Sequence, residues 1–114
     1  MGQLRPKKMT EADIDQVLQW QRSAARRALD AGFDILYVYA GMGYLGYEFL
    51  LPEYNHRTDG YGGSLENRCR FVREMLEVTR DEVGSRAAVA FVASCDIGGL
   101  AIVTKLVSAD VAGV

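Results

Sequence analysis

Apolar positions along this chain follow two rhythms. Between about residues 10 and 31, Ile14, Val17, Leu18, Ala24, Ala25 and Ala28 recur at three- and four-residue spacing, which predicts an amphipathic helix with one buried face. Thr10 stands where a cap belongs, with Asp13 at the capping-box position and Glu11 in the first turn, where the helix dipole favours an anion. Gly32 supplies the stop. From Phe33 to Ala40 the pattern changes to a short, nearly continuous apolar run with two tyrosines, the pattern of a parallel strand covered on both faces.

A polar stretch over residues 41–63 predicts a long loop, interrupted by a short helical turn at Tyr47 to Leu51 that Pro52 ends. Ser64 then caps a second helix reaching about Val83. Its buried stripe is Leu65, Cys69, Val72, Leu76, Thr79 and Val83, widened by Phe71 and Met75. Gly84 closes it, and Ala87 to Ala93 forms a second apolar strand. Helix, strand, long loop, helix, strand is the order of repeating β/α units with parallel strands. Beyond Ile97, Gly98-Gly99 breaks the chain. Leu100 to Val107 is expected as a short helix and Val111 to Val114 as the start of a further strand.

Composition narrows the function classes. The chain has 114 residues, 49% hydrophobic and 25% charged, enough for one soluble domain with a real core. A net charge of −2 gives no reason to expect a nucleic-acid surface, and Arg5, Lys7 and Lys8 read as a solvated terminus. No apolar run approaches the roughly 18 residues of a membrane span, and no apolar signal-peptide core is present, so a cytoplasmic location is the expectation. Cys69 and Cys95 are too few and too far apart for a metal or redox motif and read as reduced thiols, with a disulfide as the minor alternative. His56 is the only histidine, and its neighbours Asn55, Arg57 and Asp59 place it on a surface loop. No metal site is expected.

Gly41-Met-Gly-Tyr-Leu-Gly46 matches the G-x-G-x-x-G dinucleotide pattern and follows a predicted strand. The context argues against that reading, because Pro52 leaves room for only a brief helix and Asp59, the acidic residue at the right distance, lies in a turn-rich loop. The other reading is a loop whose glycines let the backbone pass close to a neighbouring strand or a flat ligand.

The run Tyr54-Asn-His-Arg-Thr-Asp-Gly-Tyr-Gly-Gly-Ser-Leu-Glu-Asn-Arg-Cys-Arg-Phe71 resembles the N-x-R-x-D-x-Y-G-G-S-x-E-N-R-x-R-F signature of the Old Yellow Enzyme family of flavin-dependent NAD(P)H oxidoreductases. Ala31-Gly-Phe-Asp-Ile-Leu-Tyr-Val-Tyr-Ala-Gly-Met-Gly-Tyr-Leu45 is similar to the family's A-G-F-D-x-V strand and the segment after it. Its Tyr-Val-Tyr form resembles the branch of trimethylamine, dimethylamine and histamine dehydrogenases. The resemblance spans about residues 9–96 and implies an α/β fold, a partial (β/α)8 TIM barrel of about two to three β/α units. On this reading residues 1–114 are one central fragment of an FMN-binding barrel domain, incomplete by itself.

By the same resemblance, Tyr39 takes the strand-end position of the catalytic and substrate-binding residue, facing flavin and substrate. Its other reading is a core tyrosine at the sheet edge. Met42 falls where the family often has a histidine, and Val92 where it carries an arginine beside the flavin pyrimidine. A thioether cannot relay a proton, and valine cannot balance the charge of a reduced flavin. Tyr44 and Tyr47 suit an aromatic substrate wall or plain loop packing. Arg57, Asp59, Glu66, Asn67, Arg68 and Arg70 read as structural, tying the loop to carboxylates and carbonyls.

The implied activity is hydride transfer between NAD(P)H or an amine and flavin, with FMN held weakly or not at all by this chain alone. The alternative is a non-catalytic α/β piece that associates with itself or with a complementary barrel fragment through open sheet edges. Partners are then flavin and a small-molecule substrate, with no nucleic acid and no membrane.

Overall fold

Residues 6–94 are described by a computed structural model, together with the backbone of a strand at 102–107. Thr10 opens helix α1 (Glu11–Asp30) with the capping box the sequence predicts. Its Oγ1 accepts from the Asp13 amide at 3.2 Å, and Asp13 Oδ2 accepts from the Thr10 amide at 2.8 Å. That amide, then Lys7 and the Thr10 hydroxyl, holds the Asp13 carboxyl down from the ordinary 3.8 to about 2. At the far end Gly32 turns left-handed at φ 89°, and the Phe33 amide reaches back to Ala28 O at 3.1 Å. Strand β1 (Ile35–Ala40) follows, then helix α2 (Leu45–Leu50), helix α3 (Leu65–Val83) capped by Ser64, and strand β2 (Ala88–Ser94).

β1 and β2 pair in parallel, Ile35 opposite Ala88 and Tyr39 opposite Val92, and both long helices pack on one face of that ladder. The core beneath them has two connected parts. Ile14, Ala40, Phe49, Phe71, Val72 and Ala93 form one; Ala25, Leu36, Val38, Val83 and Val89 form the other. Phe49 stacks on Phe71 with ring centroids 4.4 Å apart. Fully burying a side chain of that size is worth roughly 2–3 kcal/mol. Between α1 and α3, buried Thr79 accepts from Gln21 Nε2 at 2.9 Å and donates to Met75 O at 2.7 Å.

Several expectations need correction. β1 is covered on one face only: Val38 is 3% exposed while Tyr37 is 61% exposed. Continuous hydrophobicity did not separate these cases, since tyrosine is apolar enough to pass as interior yet stable beside water. Ala24 is exposed, because ~100° per residue leaves it on the flank of the stripe centred on Ile14 and Ala25. Gln21 takes the central position instead. Leu65 is exposed because it is the first residue of α3, a turn before the helix packs.

The largest correction concerns residues 100–107. The expected helix is a strand, β3 (Ile102–Val107), paired antiparallel with β2 in the order β1-β2-β3. Chain length supplies the reason. Only residues 95–101 separate β2 from β3, whereas a parallel return needs a crossover of a dozen or more residues. The expected strand at Val111–Val114 lies outside the described residues, as does Cys95. Cys69 is a half-buried free thiol.

Candidate functional site

A strand alternates its side chains, so β1 and β2 present a second face away from the helices. Ile35, Tyr37 and Tyr39 lie on it, beside Ala88, Ala90, Val92 and Ser94. Neither strand contains a charged residue. At the C-terminal ends of the pair, where parallel α/β folds gather their functional groups, Tyr39 is 40% exposed and stands in register with Val92. The structure thus places Tyr39 on the open face, not in the core.

The turn after β1 completes this cluster. The Gly41 carbonyl accepts from the Tyr44 amide at 3.1 Å, with Met42 at φ 50° and Gly43 at φ 79° between them. Two central residues at positive φ make this a type I′-like turn, which usually takes Asn-Gly. Methionine in that conformation is strained by about 1–2 kcal/mol. The turn swings Tyr44 back onto Tyr39, edge to face, with centroids 5.5 Å apart. Met42 is 66% exposed at the turn tip. Tyr47 does not join this wall and packs against Tyr54 with centroids 6.0 Å apart.

Ser94 is a member of the cluster that sequence reasoning missed. Its Oγ accepts from the Met42 amide in a long bond of 3.4 Å. A Cβ on Gly41 would sit 2.6 Å from that oxygen, so the turn lies directly against the end of β2. Period-two alternation from Val92 was the available signal. Among the glycines of the G-x-G-x-x-G match, Gly41 is explained by this close approach, Gly43 by the turn, and Gly46 by the approach of α2 to Ala40 and Tyr39 O. α2 spans only six residues, as the setting aside of the dinucleotide reading requires.

The charged signature is a scaffold. Asn55 is buried, its Nδ2 donating to Phe49 O and Tyr61 O at 2.7 Å each while its Oδ1 accepts from the Arg57 amide at 3.1 Å. Arg57 grips Asp59 with two nitrogens and reaches Met9 O with a third. That grip, ahead of the Tyr61 amide, holds the Asp59 carboxyl below its usual range. Arg68 donates to Leu50 O at 2.9 Å and to Gly63 O at 2.6 Å; Arg70 donates to Gly60 O at 2.7 Å. Asn67 donates to Gly62 O at 2.9 Å, and a Cβ on Gly62 would collide with Arg57 O. Burial, then the Glu74 carboxylate that accepts its proton at 2.8 Å, pushes the Tyr61 hydroxyl up to about 12. Glu66 is exposed in the first turn of α3, and His56 is exposed on the loop.

Two helices packed on a parallel strand pair, with an aromatic cluster at the carboxyl ends of the strands, form an arrangement that a portion of a (β/α)8 barrel has. Comparison with known proteins is more specific. The family model for the NADH:flavin oxidoreductase / NADH oxidase family matches residues 1–98, and the chain belongs to that family. An NADPH dehydrogenase from Geobacillus sp. (strain WCH70) is 50% identical over 76 residues, covering 67% of this chain and 22% of that protein. The solved structure of histamine dehydrogenase from Rhizobium sp. 4-9 superposes with a TM-score of 0.73 at 38% identity, covering 77% of this chain and 14% of that one. An old yellow enzyme homologue from Zymomonas mobilis gives a TM-score of 0.71 at 36% identity, covering 75% of this chain and 24% of that one. The chain therefore spans a quarter or less of each of these relatives. The family match ends at residue 98, before β3 begins at Ile102.

Family membership implies FMN, and the described residues do not by themselves fit it. Tyr39, Tyr44 and Val92 offer contact to a flat ring. No cation stands on β1 or β2 to face a reduced flavin or hold its phosphate.

Proposed function

We propose that this chain forms part of the substrate-facing wall of an FMN-dependent oxidoreductase barrel, of the class that moves hydride between NAD(P)H or an amine and flavin. The observation that carries this is the register of Tyr39 with Val92 on an uncharged face at the carboxyl end of two parallel strands. Tyr39 orients a bound substrate by ring contact and its hydroxyl. Tyr44 extends the wall, and Met42 adds apolar contact at the tip. Met42 and Val92 cannot supply the proton relay and positive charge that histidine and arginine would, so this segment binds and orients more than it reacts. A cytoplasmic setting suits this reading. Among the described residues no helix is long and apolar enough to cross a membrane.

Exchange of the matching segment tests the proposal. Residues 9–94 put in place of the structurally corresponding helix–strand–loop–helix–strand segment of the Geobacillus NADPH dehydrogenase should give a folded protein with turnover reduced at least about 100-fold. Val92→Arg should recover part of that loss. A chimera that never folds would remove the basis for the reading.

Self-association is a second reading, and the exposed flank of β1 favours it. Ile35-Leu-Tyr-Val-Tyr-Ala40 is an edge strand in the order β1-β2-β3 and lacks the charges and prolines that blunt such edges. We propose that a second copy of this chain pairs there.

A further inference from the structure

We infer that Ser94 is a positioning residue of the candidate site, acting through the strained Gly41–Tyr44 turn to set the angle between Tyr44 and Tyr39. The turn needs left-handed backbone at both Met42 and Gly43, and methionine does not favour that conformation. Local strain of this kind persists only where surrounding contacts over-determine it. Ser94 provides such a contact: its Oγ accepts from the Met42 amide at 3.4 Å. The same oxygen lies 2.6 Å from where a Cβ on residue 41 would stand, so the turn approaches it this closely only because that residue is glycine. The turn is thereby seated against the last residue of β2. Tyr44 closes the turn through its amide to Gly41 O, so its ring follows from where the turn sits. Ser94 touches neither tyrosine ring through any hydrogen bond found among the described residues. Its effect on the wall is indirect, and it is the residue two positions beyond Val92 on the same open face.

The inference builds on the proposed role of Tyr39 and Tyr44, but its test reads geometry without any ligand. It therefore fails or stands separately from the oxidoreductase reading. Subtracting the near-ultraviolet circular dichroism of Tyr44→Leu from that of the full chain isolates the contribution of the tyrosine pair. Ser94→Ala should lose at least half of that difference while far-ultraviolet spectra stay unchanged. In a Met42→Gly background, where the left-handed turn carries no strain, the same Ser94→Ala change should lose less than a quarter of it.

An unaltered pair signal in Ser94→Ala would overturn the inference, and so would equal losses in both backgrounds. Should Ser94→Ala not fold, amide exchange in the unmodified chain decides. The Met42 amide should exchange at least threefold more slowly than the Gly43 amide, and equal rates would overturn it.

Discussion

Tyr39 and Val92 are register partners across the only parallel ladder among the described residues, both on the face the helices leave open. The relationship places an aromatic residue beside an aliphatic one at the carboxyl edge of the sheet. Under the proposed function, it gives this segment the apolar contact of a flavoenzyme wall without its charge. Val92→Arg tests that reading by adding a cation next to Tyr39. One charge-assisted hydrogen bond at this partly exposed position is worth about 1–1.5 kcal/mol, so FMN affinity should rise roughly fivefold to tenfold. Flavin fluorescence titration of both proteins measures it, and the gain should shrink as salt rises.

Asn55 holds the long loop by three hydrogen bonds from a buried position. Asn55→Ala would leave the Phe49 and Tyr61 carbonyls and the Arg57 amide without their partner. The expected cost is at least about 2–4 kcal/mol, read from the midpoint of urea denaturation. Asn55→Ala should therefore rank well above His56→Ala, which removes only an exposed side chain.

Three carboxylates make stability depend on acid. Asp13 is held down to about 2 by the Thr10 amide, and Asp59 and Glu82 are lowered by Arg57 and Arg26 respectively. Each binds its proton more weakly folded than unfolded, so each stabilises the fold above its unfolded value near pH 4. That contribution fades as pH falls toward about 2 for Asp13. Thermal melts should show a declining midpoint across this window, and Asp13→Asn should flatten the decline.

The β1 edge predicts concentration-dependent association. Light scattering coupled to size exclusion should give a mass above that of one chain at high concentration. Tyr37→Lys, which puts a charge on the exposed face of the edge strand, should shift the protein to monomer. A monomer at all concentrations would remove the second reading.

Much of this structure was legible in the residues. Thr10 and Asp13 announced the start of α1, Ser64 and Gly84 bracketed α3, and the arginines of the signature segment bond to the carbonyls and carboxylate expected of them. The caps rest on short-range chemistry, in which the partner lies within one turn of chain, while the arginines were legible because guanidinium chemistry demands carbonyl or carboxylate acceptors wherever they lie. What stayed hidden depended on distant packing. The open face of β1 was masked because its nearly continuous apolar run, tyrosines included, has the pattern of a strand covered on both faces. Ser94 mattered only once Met42 was found 52 positions away in sequence and 3.4 Å away in space. β3 reversed direction because the connection before it is too short for a crossover, and hydrophobic pattern alone does not weigh that constraint.

The most direct test is the visible absorbance of the purified chain after saturation with FMN and gel filtration. An uncharged wall cannot hold the cofactor through its phosphate or its reduced ring, so the protein should emerge colourless, with far less than one flavin per chain. A yellow protein retaining one FMN per chain would contradict the account.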